Sequence, residues 1–270
     1  MRTSRTPMAR VAVASMAILA LAACGSAEGV SASSEPEPTL IKDGTLMVCT
    51  SLPYEPFEFE QDGEVVGFDI DLVNEVAKAL NVTPEYVNED FAAISSGELF
   101  NADACDVAVA AMSISGDRAR VIDFSSPYFN ATQVMVVQKG SGIDSLTDLA
   151  GGNIAVQEDT TGELYATDHA PTGTQIVPYK SVQDVDSALS GGTVDAGIYD
   201  NNIVRSAIEN HPTFEVVAEF DTGEQYGMAV KKDGNVDLLR VINDVLADLQ
   251  ESGRYDEIYE TWFGKTAPQA

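Results

Sequence analysis

Arg118 closes the run Met112-Ser113-Ile114-Ser115-Gly116-Asp117-Arg118, and a guanidinium there offers a carboxylate two parallel hydrogen bonds and a charge that no ordinary pH removes. Ser113 adds a hydroxyl at the end of an apolar stretch. Thr160 and Thr161 precede Gly162 where a helix is expected to open, and free N–H groups and the helix dipole favour an anion at such a place. Asp200 follows the apolar run Val194 to Ile198 and supplies a carboxylate that can accept from a cation. Each residue also has an ordinary use. An Arg beside an Asp commonly sits on a solvated surface, a serine at a strand end makes turns, Thr161 can cap a helix, and Asp200 before Asn201-Asn202 can do the same. His169 and His211 fall at a helix end or in a loop with no Ser, Cys or Asp constellation, and no His-Glu-x-x-His spacing occurs. No catalytic residue, metal or cofactor is expected, and the chain does not read as an enzyme.

These residues need a frame, and short apolar runs alternating with amphipathic segments supply one. Thr45 to Thr50 and Asp106 to Ala111 read as buried strands, and Phe68 to Leu80 as a helix with Ile70, Val73, Val76, Ala77 and Leu80 on one face. A second set follows Val134 to Val137: strands at 154–156 and 194–198, helices at 162–169, 182–189 and 203–209. Gly151-Gly152 and Gly191-Gly192 stop the chain before the two strands. Helices over 236–250 and 255–263 close the chain, the first with a stripe of Leu238, Leu239, Ile242, Val245, Leu246 and Leu249. The expected class is α/β with two open, mostly parallel sheets flanked by helices. Each sheet leaves a crevice beyond the carboxyl ends of its strands, and two facing crevices make a cleft.

The 270 residues are 44% hydrophobic and 7% aromatic, enough for one or two ordinary cores. Arg2, Arg5 and Arg10, an apolar core from Val11 to Leu21 and the small end Ala22-Ala23 form a targeting segment over 1–23, too short to span a bilayer. Leu21-Ala22-Ala23-Cys24 resembles a bacterial lipobox, whose cysteine becomes residue one and carries acyl chains such as palmitate. Two or more chains hold a protein stably at the cell membrane, and 24–39 then serves as a flexible tether. The alternative is an ordinary cleaved signal with a chance cysteine. Removing the segment leaves twelve basic residues against 43 acidic ones, a formal charge of −31. Such a field repels nucleic acid and anionic lipid, so neither is an expected partner. Cys49 and Cys105 remain in a compartment that permits disulfides. Even parity favours pairing, whereas an offset of about three residues between neighbouring strands opposes it, and the bridge stays open at this stage.

Pro56-Phe57-Glu58-Phe59, Gly67-Phe68-Asp69-Ile70-Asp71-Leu72, the Met112 to Arg118 run, Ile122-Asp123-Phe124-Ser125 and Gly227-Met228-Ala229-Val230 together resemble the extracellular solute-binding proteins of family 3, which take polar amino acids and include glutamine-binding and lysine/arginine/ornithine-binding members. Gly253-Arg254-Tyr255-Asp256 and Trp262-Phe263-Gly264 extend the match, which covers residues 43 to 264 in order. The resemblance implies the two-lobed periplasmic-binding-protein-like fold of type II. Lobe one is expected over 40–128 and 229–264, lobe two over 135–223, hinge strands at 129–134 and 224–228, and a tail at 265–270.

A zwitterionic amino acid needs a fork of donors, an acid and a tunable wall. Carried onto this sequence, the resemblance assigns the ligand carboxylate to Arg118, Ser113 and Thr161, with Thr160 and the backbone of Ala111 beside them, and the ammonium to Asp200. Tyr54 and Phe91 match aromatic walls, where rings pack an aliphatic stem and favour a nearby ammonium. Ser51, Gln157 and Tyr199 match the variable positions that touch the ligand side chain. Some members carry an aspartate at the first and a lysine at the second. This chain has neither, which favours an uncharged polar ligand such as glutamine, although Glu55 and Glu158 beside the cleft could attract a cationic one. The implied partners are the free amino acid and a membrane-embedded ABC transporter permease with its ATPase, met by a monomer outside the cytoplasm. The competing readings are a cyclic-acid dehydratase on the same fold and a sensory partner of a separate receptor.

Overall fold

The computed structural model describes residues 37 to 264 and Ala267. The targeting segment, Cys24, most of the tether and most of the tail lie outside the described residues. Among the described residues no helix is long and apolar enough to cross a membrane.

In chain order the elements are β1 (Thr45–Thr50), a hairpin of β2 (Phe59–Gln61) and β3 (Glu64–Val66), α1 (Phe68–Ala79), β4 (Thr83–Asn88), α2 (Phe91–Ser95), α3 (Glu98–Asn101), β5 (Val107–Ala108), β6 (Ile122–Phe124) and β7 (Phe129–Gln138). There follow β8 (Asn153–Gln157), α4 (Thr161–His169), β9 (Gln175–Tyr179), α5 (Val182–Ser190), β10 (Ala196–Asp200), α6 (Val204–Asn210), β11 (Phe214–Tyr226), β12 (Ala229–Lys231), α7 (Val236–Ser252) and α8 (Arg254–Phe263).

Two five-stranded sheets organise two lobes, with strand orders β4-β1-β5-β12-β6 and β11-β7-β10-β8-β9. In the first sheet β1, β4 and β5 run parallel and β12 antiparallel. In the second, β8, β9 and β10 run parallel and β7 opposes both its neighbours. The chain leaves the first sheet through β7, builds the second, and comes back through β11 to lay β12 in the first. β7 and β11 pair along their length from Phe129↔Tyr226 to Gln138↔Phe214, with register shifts between Val216 and Ala218 and between Phe220 and Glu224.

The apolar spacing of α1 buries Ile70, Val73, Val76 and Ala77 as expected, with Asp69 and Asp71 in its first turn and Lys78 in its last, each on the side that complements the helix dipole. Gly67 opens it at φ 140, and a Cβ there would lie 2.0 Å from the carbonyl oxygen of Phe57, so only glycine fits the approach. α7 is capped by Asn235, whose side chain accepts from the Leu238 amide, and it buries Leu238, Ile242, Leu246 and Leu249. The fully buried Phe57 ring stands edge-on to Phe68, Phe129 and Tyr226 and tilts against Phe263. This cluster ties the loop after β1 to α1, to both long strands and to α8. Trp262 packs on Phe59 and donates its indole N–H to Asp71 Oδ2 at 2.7 Å, fixing α8 to α1 and the hairpin.

Among the boundaries that differ from expectation, three bear on the site. β5 has two residues where six were expected, because bends at Ala110 and Ala111 take the chain out of the ladder. β10 ends two residues later than expected, so Tyr199 and Asp200 are strand residues, buried like the rest of it. The cap of α4 is Thr160, whose hydroxyl accepts from the Glu163 amide, and Thr161 is the first helical residue. Cys49 and Cys105 form a disulfide with Cα atoms 5.6 Å apart. The register pairs Cys49 with Ala108, but a bend at Asp106 takes Cys105 out of line with β5, which removes the offset that a straight strand would impose.

Candidate functional site

The chain between β5 and β6 supplies one side of the site. Ala111 sits in the left-handed region at φ 43, costly for a residue with a Cβ. Asp69 supports it from the first turn of α1: its Oδ2 accepts from the Ala111 amide at 2.7 Å and from the Tyr128 hydroxyl at 2.9 Å. Burial pushes the Asp69 carboxyl up to about 7 despite those two donors. Two residues on, Ser113 forms an isolated bridge with Tyr226 of β11, which sets its hydroxyl at the lobe boundary.

Arg118 begins a single 3-10 turn and is only 8% exposed. Its Nη1 donates to the Ser113 carbonyl and its Nη2 to the Asp159 carbonyl, both at 2.7 Å, so one guanidinium touches both lobes. The Phe91 ring lies beneath it, 5.0 Å from centroid to Cζ. Burial lowers the Arg118 pKa, and the charges of Asp200, Glu224 and Asp159 oppose that shift.

The second lobe answers from the carboxyl ends of β8 and β10. Asp200 receives hydrogen bonds from Gln133 at Oδ1 and from Tyr226 and Tyr54 at Oδ2. Burial first and the Glu224 charge second raise its carboxyl to about 6, while the three donors pull the other way. Because Thr160 does the capping, the Thr161 hydroxyl is free to face the first lobe. It lies 3.4 Å from that of Ser113.

Ser51, Tyr54, Phe91, Ala111, Ser113, Arg118, Gln157, Thr160, Thr161 and Asp200 all line one cavity, which holds about 460 Å³ of space between its walls, mouth included. Tyr199 does not line it. Its hydroxyl donates to Asp186 Oδ1 at 2.8 Å and its ring lies over Gly197, so it borders an adjoining cavity of about 270 Å³ behind Asp200. Glu55 and Glu158 are also off the wall of the main cavity, and Glu55 instead accepts from Ser206 of α6. Further contacts close the rim, Lys180 to Asp90 and Gln183 to the Pro53 carbonyl.

Sequence reasoning missed three acceptors or donors. Glu58 lies on the cavity wall, 1% exposed, and no donor of the described residues reaches either of its oxygens. Burial and the neighbouring Asp69 push its carboxyl well up. Gln133 on β7 links Asp200, Glu224 and Thr161. Glu224 on β11 accepts from both Ser113 and Thr161. Glu58 was in plain view inside the Pro56 to Phe59 motif. Glu224 lies two residues before Tyr226, and period-two alternation puts both on one face of the strand.

Donors for an anion, an acid for a cation and aromatic walls, drawn from both lobes, can hold a small zwitterion. Among the described residues no three His, Cys, Asp or Glu side chains gather as a metal site.

The chain is similar to known proteins along nearly its whole length. A probable histidine-binding protein of Neisseria gonorrhoeae is 33% identical over 93% of this chain and 94% of its own. The ABC transporter glutamine-binding protein GlnH of Bacillus subtilis is 32% identical over 91% and 93%. The solved structure of an ancestral arginine-binding protein bound to glutamine superposes with a TM-score of 0.78 at 38% identity, covering 83% of this chain and all of that one. The model of the bacterial extracellular solute-binding proteins, family 3, matches residues 46–265, and the chain belongs to that family.

Proposed function

We propose that the protein binds a free polar amino acid between its lobes, outside the cytoplasm, and delivers it to a membrane-embedded ABC transporter with its ATPase, from a lipid anchor at Cys24. The supporting observation is convergence: Arg118 and Ser113 from one lobe meet Thr161 and Asp200 from the other around one cavity. Arg118, Ser113 and Thr161 hold the carboxylate, with Thr160 and the Ala111 backbone beside them. Asp200, steadied by Tyr54, holds the ammonium. Phe91 backs the guanidinium, and Ser51 and Gln157 face the ligand side chain. Tyr199 acts on that end only through Asp200's neighbourhood, since its hydroxyl is committed to Asp186.

The lobes contribute unlike halves of the site, so a closed form makes more contacts than an open one and ligand shifts the population toward closure. Residues 129–134 and 224–228 act as the hinges, with 40–128 and 229–264 as one lobe and 135–223 as the other. The interrupted register next to Glu224 supports flexure there. The transporter then reads the closed shape of a monomer.

On the ligand, the absence of an aspartate at Ser51 and a lysine at Gln157 favours an uncharged polar side chain such as that of glutamine. Glu58 supports a second reading. A buried carboxylate on the wall that receives no donor suits a ligand with a cationic side chain.

The experiment is a melting-temperature survey of residues 25 to 270, refolded after stripping, against the common amino acids and a set of sugars. Anything that binds only the native state raises the melting temperature. A rise with glutamine supports the first reading and a rise with arginine or lysine the second. Silence across all amino acids overturns the proposal.

A further inference from the structure

The oxygen Oε2 of Glu224 accepts from the Ser113 hydroxyl and from the Thr161 hydroxyl, each at 2.6 Å. A hydroxyl has one proton to donate. While Glu224 holds both protons, neither hydroxyl can donate to a second carboxylate. Ser113 and Thr161 come from opposite lobes, so the same carboxylate also bridges the cleft. Its other oxygen, Oε1, accepts from Thr222 at 2.7 Å and from Gln133 Nε2 at 3.1 Å, so the side chain stays anchored to its own strand and to β7 whatever happens at Oε2.

We propose that Glu224 is a built-in competitor for the ligand carboxylate: it occupies the Ser113 and Thr161 hydroxyls whenever no ligand does, and binding requires its displacement from them. The proposal rests on the amino-acid reading above. Hydrogen bonds from hydroxyls to a carboxylate are charge-assisted and stronger than neutral ones, so the internal contact lowers ligand affinity by whatever it contributes to the unliganded state. The negative charge of Glu224 beside an arriving carboxylate acts in the same direction, and Arg118 serves both anions. Competition also explains why an anion-binding cluster tolerates an acid at its centre: Glu224 satisfies two hydroxyls that face each other across the cleft at 3.4 Å. Oε1 with its two donors and Oε2 with its two are fully used, which distinguishes Glu224 from Glu58, whose oxygens receive none.

The test measures binding of L-glutamine, L-histidine and L-arginine by calorimetry to the wild type, Glu224→Gln and Glu224→Ala. The same substitutions are also placed on a Ser113→Ala, Thr161→Val background. Glu224→Gln keeps the shape and removes the charge, and Glu224→Ala removes the group if the amide variant folds poorly. Competition predicts that whichever amino acid the wild type binds is bound about tenfold more tightly by the variants. It also predicts that most of the gain disappears on the background lacking both hydroxyls, where only relief of the Glu224 charge beside Arg118 and the ligand carboxylate remains. Unchanged affinity, or a gain equally large with and without the two hydroxyls, overturns the proposal. A fall in affinity overturns it too and makes Glu224 an acceptor for a cationic part of the ligand. If the wild type binds an amino acid, those outcomes leave the amino-acid reading standing; if no amino acid binds to any variant, both fall together.

Discussion

The hydroxyl of Tyr54 donates to Oδ2 of Asp200 across 3.1 Å, so the loop after β1 fixes the acid that ends β10. That acid is buried and raised to about 6, which places its titration within reach of ordinary buffers.

Asp200→Asn should therefore lower amino-acid affinity by about a hundredfold, since an ammonium loses a charged acceptor worth about 3 kcal/mol. In the wild type the ammonium needs the ionised carboxylate. Affinity should hold from pH 8 to about 7 and fall as pH drops through 6, while Asp200→Asn shows no such step. Calorimetric titrations at several pH values check both.

Arg118→Ala should also lower affinity by about a hundredfold or more, because it removes a charged fork and leaves the Ser113 and Asp159 carbonyls without their donors. Arg118→Lys should recover only part of the loss, as an ammonium cannot serve the carbonyls and a ligand carboxylate in one plane. Near-native binding by the alanine variant would refute the site assignment.

Glu58 and Asp69 govern stability rather than affinity alone. Both carboxyls are raised by burial, Asp69 to about 7, so the folded chain binds their protons more tightly than the unfolded chain does. The contribution of such a carboxyl is fully present below the ordinary carboxylate range near 4 and is lost as pH rises from there through its folded value, about 7 for Asp69, with no further change from that group above it. Glu58→Gln should melt higher than the wild type at pH 8 and gain little at pH 5. Equal gains at both pH values would remove burial of the charge as the cause.

The disulfide joins residues 56 apart in sequence. A loop of that length, once closed, disfavours the unfolded chain by about 4 kcal/mol in the chain-entropy account. Replacing Cys49 and Cys105 together with serine should reduce the denaturant midpoint accordingly, measured with and without reductant. Reductant should shift the wild type toward the variant and leave the variant unchanged.

The frame was legible because its elements carry periodic signals: α1 and α7 show helical stripes, and β1 and β8 are short buried runs. Of β11 only the end was legible, as the expected hinge strand from 224; its earlier residues carry just the short apolar run Val216-Val217-Ala218 among polar ones and pair with a partner 76 or more residues away. Ten of the eleven positions picked out by motif likeness line one cavity, and likeness fixes order along the chain. What likeness cannot fix is where a side chain spends its hydrogen bonds. Tyr199 was placed toward the ligand, but its hydroxyl found Asp186. The sequence leaves Thr161 open to capping as well as to a ligand; Thr160 one residue earlier has the extended backbone a cap requires, and the Thr161 hydroxyl donates to Glu224.

Trp262 is the sole tryptophan of the chain; its indole is held by Asp71 and Phe59 and does not line the main cavity. Intrinsic emission excited at the tryptophan band therefore reports first on the docking of α8 on α1. Tyr54 lines the main cavity and Tyr226 shares its bond to Asp200, so a tyrosine-selective difference spectrum is the optical signal expected to follow occupancy.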